Sequence, residues 1–82
     1  MEVRLLKKAG KYLESLNEPI KSRIKRALNK LSIEPPQGDI KNIEGSNEYR
    51  LRIGDYRIIF EIRNDNIEIS EIGLRGQIYK RR

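Results

Sequence analysis

Residues 48–62 read EYRLRIGDYRIIFEI, a pattern typical of two β-strands joined by a two-residue turn. Glycine in the first position of such a turn favours a type II′ hairpin, which places the turn at Gly54-Asp55. Because a two-residue turn fixes the register, Ile53 faces Tyr56 and the other cross-strand pairs follow outward from them. The hairpin therefore assigns each of its side chains to one of two faces.

The two faces of this hairpin differ in chemistry. The apolar face is expected to cover the core, and its members are Tyr49, Leu51, Ile53, Tyr56, Ile58, Phe60 and Ile62. The opposite face is basic, and its members are Arg50, Arg52, Arg57 and Arg63, with Ile59 and Glu61 between them. Arg52 directly opposite Arg57 is unfavourable for the sheet alone, since like charges repel. Guanidinium groups converging on one small area indicate a site for an anion, and phosphate is the natural candidate.

Composition narrows the class of protein. A net charge of +6 and a pI near 9.8 favour a polyanionic partner: nucleic acid, an anionic membrane surface or an acidic protein. The chain has no cysteine and no histidine, so it lacks thiolate ligands, the usual general base and the commonest zinc ligand. We therefore expect no metal and no cofactor, and any catalysis must use Tyr, Lys, Arg, Asp or Glu.

Length and hydropathy predict the overall organisation. The 82 residues are enough for one small domain, and no internal repeat or linker divides them, so residues 1–82 are expected to form a single domain. No apolar run approaches the roughly 20 residues needed to span a bilayer, and no signal-peptide core is present. We expect a cytoplasmic protein.

The chain before the hairpin predicts one strand and two helices. Alternation over Met1–Leu6 indicates a short strand, and Lys7–Leu16 has the apolar spacing of a short helix. A capping side chain before proline in Asn17-Glu18-Pro19 predicts the start of a second helix, over Ile20–Leu31, with an apolar stripe of period 3.6. Pro35-Pro36 ends it.

The remaining segments complete the expected fold. Residues 34–48 are polar and contain glycine, so they are interpreted as a loop packed loosely onto the domain. After a tight turn at Asn64-Asp65 a third meander strand follows. Its Ile72 is out of phase with Ile69, which predicts a bulge or strand end near Glu71. Together these elements predict an α+β fold of order β-α-α-β-β-β, with two N-terminal helices on one face of a small, mainly antiparallel twisted sheet. The other face of the sheet, which carries the arginines, is expected to be bare.

This arrangement resembles the RelE/ParE toxin superfamily, and within it the RelE-type messenger-RNA endonucleases of type II toxin–antitoxin systems. Residues 48–60 resemble the family's Tyr-Arg-x-Arg-x-Gly-(Asn/Asp)-Tyr-Arg run, and residues 72–79 resemble its closing Gly-x-Arg-x-x-x-Tyr signature. The resemblance implies a RelE-like domain that cleaves messenger RNA in the ribosomal A site without a metal and so inhibits translation. It also implies a cognate antitoxin, RelB-like or other, contacts with ribosomal RNA, and operator DNA binding only through the antitoxin.

The resemblance also implies catalytic roles for five residues. Arg50 and Arg52 occupy the positions of the family's paired basic residues, where lysine is common. Arg57 matches its phosphate-binding arginine, Arg75 its C-terminal arginine, and Tyr79 the tyrosine near the scissile bond. Arginine stabilises extra negative charge on phosphate well but is a poor proton acceptor, because its guanidinium group stays protonated at any relevant pH.

The proton acceptor and the wider RNA surface are less sharply defined. Tyr79 could orient or accept the proton if neighbouring arginines lower its pKa, and Glu48 is an alternative base. The candidate phosphate-binding residues are Arg50, Arg52, Arg57, Arg63, Lys80 and Arg81. The candidate contacts to ribosomal RNA or antitoxin, on the basic face of the second helix, are Lys21, Arg23, Lys25 and Lys30.

Other interpretations of the same residues remain open. The ParE branch disables DNA gyrase without catalysis, and the same fold serves both functions. A weakly active toxin that acts with its antitoxin as a co-repressor is a third possibility, because arginine replaces the usual lysines. Aromatic residues on the core face argue against an outward RNA-stacking platform, and the basic helix lacks the Trp or Phe of a membrane-surface helix.

Overall fold

The computed structural model describes residues 1–33 and 36–79. Its elements in chain order are β1 (Glu2–Leu5), α1 (Lys7–Ser15), α2 (Ile20–Leu31), β2 (Asp39–Asn42), β3 (Glu48–Ile53), β4 (Tyr56–Arg63), β5 (Asn66–Leu74) and α3 (Arg75–Tyr79). Within the described residues the strands form one sheet of order β1-β5-β4-β3-β2. β1 runs parallel to β5 and the other pairs are antiparallel, so the predicted α+β class and mainly antiparallel sheet are confirmed.

The core lies between one face of this sheet and the two N-terminal helices. α1 contributes Leu13 and α2 contributes Ile24, and both pack in one cluster with the apolar face of the β3–β4 hairpin. Phe60 lies at its centre, 1% exposed, and stacks on Tyr49 with ring centroids 5.5 Å apart. The apolar stripes that predicted the helices are the surfaces that they bury.

None of the described helices is long and apolar enough to cross a membrane.

The register of the hairpin agrees with the sequence prediction at every pair. Ile53 lies opposite Tyr56 and Arg52 opposite Arg57. Gly54 has φ +56°, as the first position of a type II′ turn requires, because side-chain-bearing residues rarely adopt this conformation. A two-residue turn therefore sets which side chains face the core.

The third meander strand and its irregularity are also confirmed. β5 follows a tight turn at Asn64-Asp65, where both residues have positive φ (49° and 64°). Ile59 pairs with Glu71 and Phe60 with Ile69, so Ser70 is the additional residue of a β-bulge. The additional residue restores the alternation of the strand, so Ile69 before the bulge and Ile72 after it both lie in the core.

Two elements differ from the sequence prediction. Residues 34–48 are not simply a loop, because Asp39–Asn42 forms β2 and pairs with β3 as an edge strand. A four-residue strand with one apolar side chain, Ile40, gives almost no periodic signal, and a polar edge is common in sheets. The expected C-terminal tail begins with helix α3 (Arg75–Tyr79), which contacts β4 and β5.

Candidate active site

Arg50, Arg52 and Arg57 lie together on the sheet face opposite the helices. The β3–β4 register places Arg52 beside Arg57, and Arg50 follows two residues along β3, about 7 Å away. We call these three residues the arginine cluster. Its members come from adjacent strands of a rigid sheet, so their backbones are fixed relative to one another.

The expectation that this face would be bare is wrong for two of the three arginines. Arg57 is 2% exposed and Arg50 is 7% exposed, whereas the side chain of Arg52 is 46% exposed. Arg57 lies on the central strand, and the unpredicted elements β2 and α3 add neighbours to this part of the sheet. The cluster is therefore partly sheltered from water, which strengthens its interaction with an anion.

A carboxylate from β2 lies next to the cluster. Asp39 is opposite Arg52 in the β2–β3 ladder, with its Oδ2 atom 4.0 Å from Arg52 Nε. Its Oδ1 atom is 3.9 Å from Arg50 Nη1. Both distances exceed hydrogen-bond length, and Arg50 Nη1 has no hydrogen-bond acceptor among the described residues. The buried guanidinium group thus has one donor, Nη1, that is unpaired among the described residues.

Helix α3 is attached to the same end of the sheet. The backbone N–H of Arg75, its first residue, donates a hydrogen bond to the carbonyl oxygen of Asp55 in the hairpin turn, at 2.9 Å. Arg75 is exposed at this position. Tyr79 is the last residue of the helix, and the structure does not describe its side chain. The candidates Lys80 and Arg81 lie outside the described residues.

The far end of the same sheet face is acidic. Glu48 lies opposite Glu61, and Glu61 lies opposite Glu68, which forms a row of carboxylates across β3, β4 and β5. Glu48 is four residues from Arg52 along an extended strand, about 13 Å away. Glu48 therefore shares the sheet face of the arginine cluster, two residues from Arg50 and four from Arg52.

Arg63 belongs to the acidic end. Its Nε atom donates a hydrogen bond of 2.8 Å to Glu61 Oε1, and this hydrogen bond raises the pKa of Arg63. Six residues of extended strand separate it from Arg57, about 20 Å. The structure therefore does not bring Arg63 to the arginine cluster.

The cations of α2 are distributed along its solvent face. Lys21 is paired with Glu14 of α1, Nζ to Oε1 at 3.1 Å, and the hydrogen bond from Lys21 lowers the pKa of Glu14. Arg23 reaches the hairpin turn, with its Nη2 atom 3.5 Å from the position of a Cβ on Gly54. The remaining two candidates, Lys25 and Lys30, are exposed.

Sequence reasoning located the arginines and missed Asp39. It lies in the segment interpreted as a loop, so its pairing with β3 was not anticipated. The run Asp39-Ile40-Lys41 does alternate polar and apolar residues, which is the one signal that could have indicated a strand. Within residues 1–33 and 36–79, no three acidic side chains are grouped so as to hold a metal ion.

The fold and the cluster define a class of small, basic α+β toxin domains, the RelE/ParE superfamily of type II toxin–antitoxin systems. A family model described as "ParE toxin of type II toxin-antitoxin system, parDE" matches residues 3–79, and the chain belongs to this family. The predicted superfamily is confirmed, and so is the prediction that the protein is a type II toxin.

Individual relatives agree with this assignment. The chain is 36% identical to Toxin RelE3 of Methanocaldococcus jannaschii, covering 96% of both chains. It superimposes on a chain of the RelB-RelE antitoxin-toxin complex from Methanococcus jannaschii with a TM-score of 0.79 at 30% identity, covering 95% of this chain and 96% of that one. The archaeal RelE-RelB complex from Pyrococcus horikoshii gives 0.78 at 30% identity, with coverage of 93% and 96%.

Proposed function

We propose that this toxin is a metal-independent endoribonuclease that cleaves messenger RNA in the ribosomal A site and so inhibits translation. The observation that carries the proposal is the arginine cluster, in which two arginines are buried and one is half-exposed on a single sheet face. Similarity to RelE toxins at 30% identity or above supports the same reaction. Such a reaction takes place in the cytoplasm.

The cluster suits one part of the chemistry in particular. RNA is cut when the 2′-oxygen attacks the adjacent phosphorus, which places extra negative charge on a five-coordinate phosphate. Arginine remains charged at any relevant pH and presents a fork of N–H donors that matches phosphate oxygens. Fixed donors in a partly sheltered site stabilise that charge without reorganising, and such stabilisation commonly lowers the barrier more than any other catalytic effect. Tyr79, at the end of α3, is the candidate for orienting the reacting groups.

A cognate antitoxin is the expected partner. The M. jannaschii and P. horikoshii relatives are described as RelB complexes, and a net charge of +6 favours an acidic partner segment. An antitoxin that covers the arginine cluster would exclude messenger RNA from it. Operator DNA would be bound through the antitoxin.

The test is cleavage of a defined messenger RNA on purified programmed ribosomes, with Arg52→Ala compared with the wild type. Arg52 is preferred to Arg57 because its half-exposed side chain can be removed without leaving a cavity in the sheet. Loss of one charge-stabilising donor lowers the cleavage rate by about 10²–10³-fold. Arg4→Ala, which removes an exposed arginine from β1 at the opposite edge of the sheet, is the matched control and keeps the wild-type rate.

The same assay separates the alternatives. Cuts confined to the A-site codon, dependent on ribosomes and on Arg52, support the proposal, and equal rates for Arg52→Ala and wild type contradict it. The family model's ParE description favours a second candidate, a gyrase poison without catalysis. That candidate predicts intact translation and a DNA-damage response on expression. A co-repressor role predicts tight operator binding by the toxin–antitoxin pair and no RNA cleavage.

A further inference from the structure

We propose that Asp39 is the proton acceptor of the cleavage reaction, a role that rests on the proposed endoribonuclease function. Arginine cannot take the proton from the 2′-hydroxyl at neutral pH, and the chain contains no histidine. The arginine cluster alone therefore stabilises charge but has no base. The structure places the carboxylate of Asp39 within 4.0 Å of both Arg50 and Arg52.

The geometry of these ion pairs fits a base next to an anion site. The two contacts, 3.9 and 4.0 Å, are too long for hydrogen bonds, so Asp39 does not saturate the guanidinium donors. Arg50 is more than nine-tenths buried, and its Nη1 atom has no hydrogen-bond acceptor among the described residues. This buried donor lies beside the carboxylate and is unpaired among the described residues. The side chain of Asp39 is 59% exposed on an edge strand and can meet RNA that arrives from solvent.

Bound phosphate would bring the 2′-hydroxyl within reach of Asp39. In a near-attack arrangement the 2′-oxygen lies about 3–3.5 Å from the phosphorus, so a phosphate held by Arg50 and Arg52 places that oxygen beside their neighbouring carboxylate. Asp39 takes the proton, the 2′-oxygen–phosphorus bond forms, and the bond from phosphorus to the 5′-oxygen breaks. The 5′-oxygen acquires a proton from water, and Asp39 returns its own proton to water. Glu48 lies two residues from Arg50 along β3, about 7 Å, and about 13 Å from Arg52, whereas the carboxylate of Asp39 lies within 4.0 Å of both arginines.

The deciding variant is Asp39→Asn, which keeps the shape of the side chain and removes the base. Loss of a general base lowers the single-turnover cleavage rate on programmed ribosomes by about 10²–10⁴-fold. Ribosome affinity stays at the wild-type value or rises, because a negative charge has left an anion site. Asp65→Asn is the matched control, since it makes the same change of charge in the exposed turn at the other end of the sheet.

The pH profile tests whether the carboxylate acts in its ionised form. The charged groups that face Asp39 are Lys41 on its own strand, Arg50 and Arg52 on β3, and Arg57 beyond them on β4. General-base catalysis gives a rate that rises with pH until the base is deprotonated, so we expect an acid limb in the wild-type pH–rate profile. The rate of Asp39→Asn lacks this acid limb.

A substrate with sulfur in place of the bridging 5′-oxygen distinguishes a base from an acid. The thiolate leaving group needs no proton, so the defect of Asp39→Asn persists on this substrate if Asp39 acts on the 2′-hydroxyl. Three results for Asp39→Asn would each overturn the inference. They are full rescue of its rate by the thio substrate, a wild-type rate on the ordinary substrate, and loss of ribosome binding. If the wild type itself cuts no RNA, the proposed function fails as well. If the wild type cuts and Asp39→Asn cuts equally fast, only the role of Asp39 fails.

Discussion

The connection into β2 provides a sharp test of how the candidate site is held in place. Gly38 immediately precedes Asp39 and has φ +138°, a conformation that is open to glycine and strained for other residues. A Cβ at this position would lie 2.7 Å from Cδ1 of Leu51, a core side chain that is 2% exposed. Gly38→Ala therefore combines backbone strain with overpacking of the core.

The expected loss of stability follows from these two effects. Backbone strain of this kind costs about 1–3 kcal/mol, and inserting a methyl group into a packed core costs about 1–3 kcal/mol more. Gly45 is the matched control, because it also has positive φ (+76°) but no described atom lies within 4 Å of its added Cβ. Gly45→Ala introduces only the backbone strain, about 1–2 kcal/mol. The difference between the two variants isolates the contact with Leu51.

Thermal unfolding followed by circular dichroism measures both losses. In a domain of this size each 1 kcal/mol lowers Tm by about 4–8 °C, so we expect Gly38→Ala to lose at least ~8 °C and more than Gly45→Ala loses. Amide hydrogen exchange of Ile40 and Lys41 reports whether β2 detaches from β3 to relieve the strain. Equal Tm values for the two alanine variants, with β2 still protected, would refute the reasoning.

Two further predictions concern the helices. Gly10→Ala raises stability by about 0.5–1 kcal/mol, because Gly10 lies inside α1 and, among the described residues, its added Cβ meets just Leu5 Cβ, at 4.0 Å. An unchanged urea midpoint would contradict this. The hydrogen bonds that Ser22 donates to Glu18 lower the pKa of that carboxyl group at the start of α2. Its contribution to stability is therefore present above the ordinary carboxyl pKa and is lost as the pH falls through the lowered value. Glu18→Gln reduces the drop in Tm between pH 6 and pH 3, and a drop as large as in the wild type would show that Glu18 contributes nothing.

The sequence predicted those features of the site that are fixed by residues close together in the chain. A two-residue turn leaves one register, so the opposition of Arg52 and Arg57 followed from Gly54 and the alternation around it. The bulge at Ser70 was predicted within one residue, since an odd break in a period-2 pattern requires an additional residue. These features rest on neighbours along the chain or across one turn.

The features that the sequence did not reveal depend on partners distant in the chain. β2 is too short to show the two-residue alternation of a strand. It is a strand because its backbone pairs with β3. Arg50 and Arg57 are buried by neighbouring parts of the folded chain. Alternation along a strand predicts which face a side chain lies on, but it does not predict which other segments cover that face. Residue types and spacing thus determined the elements other than β2 and α3, the core face and the arginine face. Only the tertiary structure brought Asp39 beside the arginine cluster, because an edge strand without its own periodic signal gains its position from the strand with which it pairs.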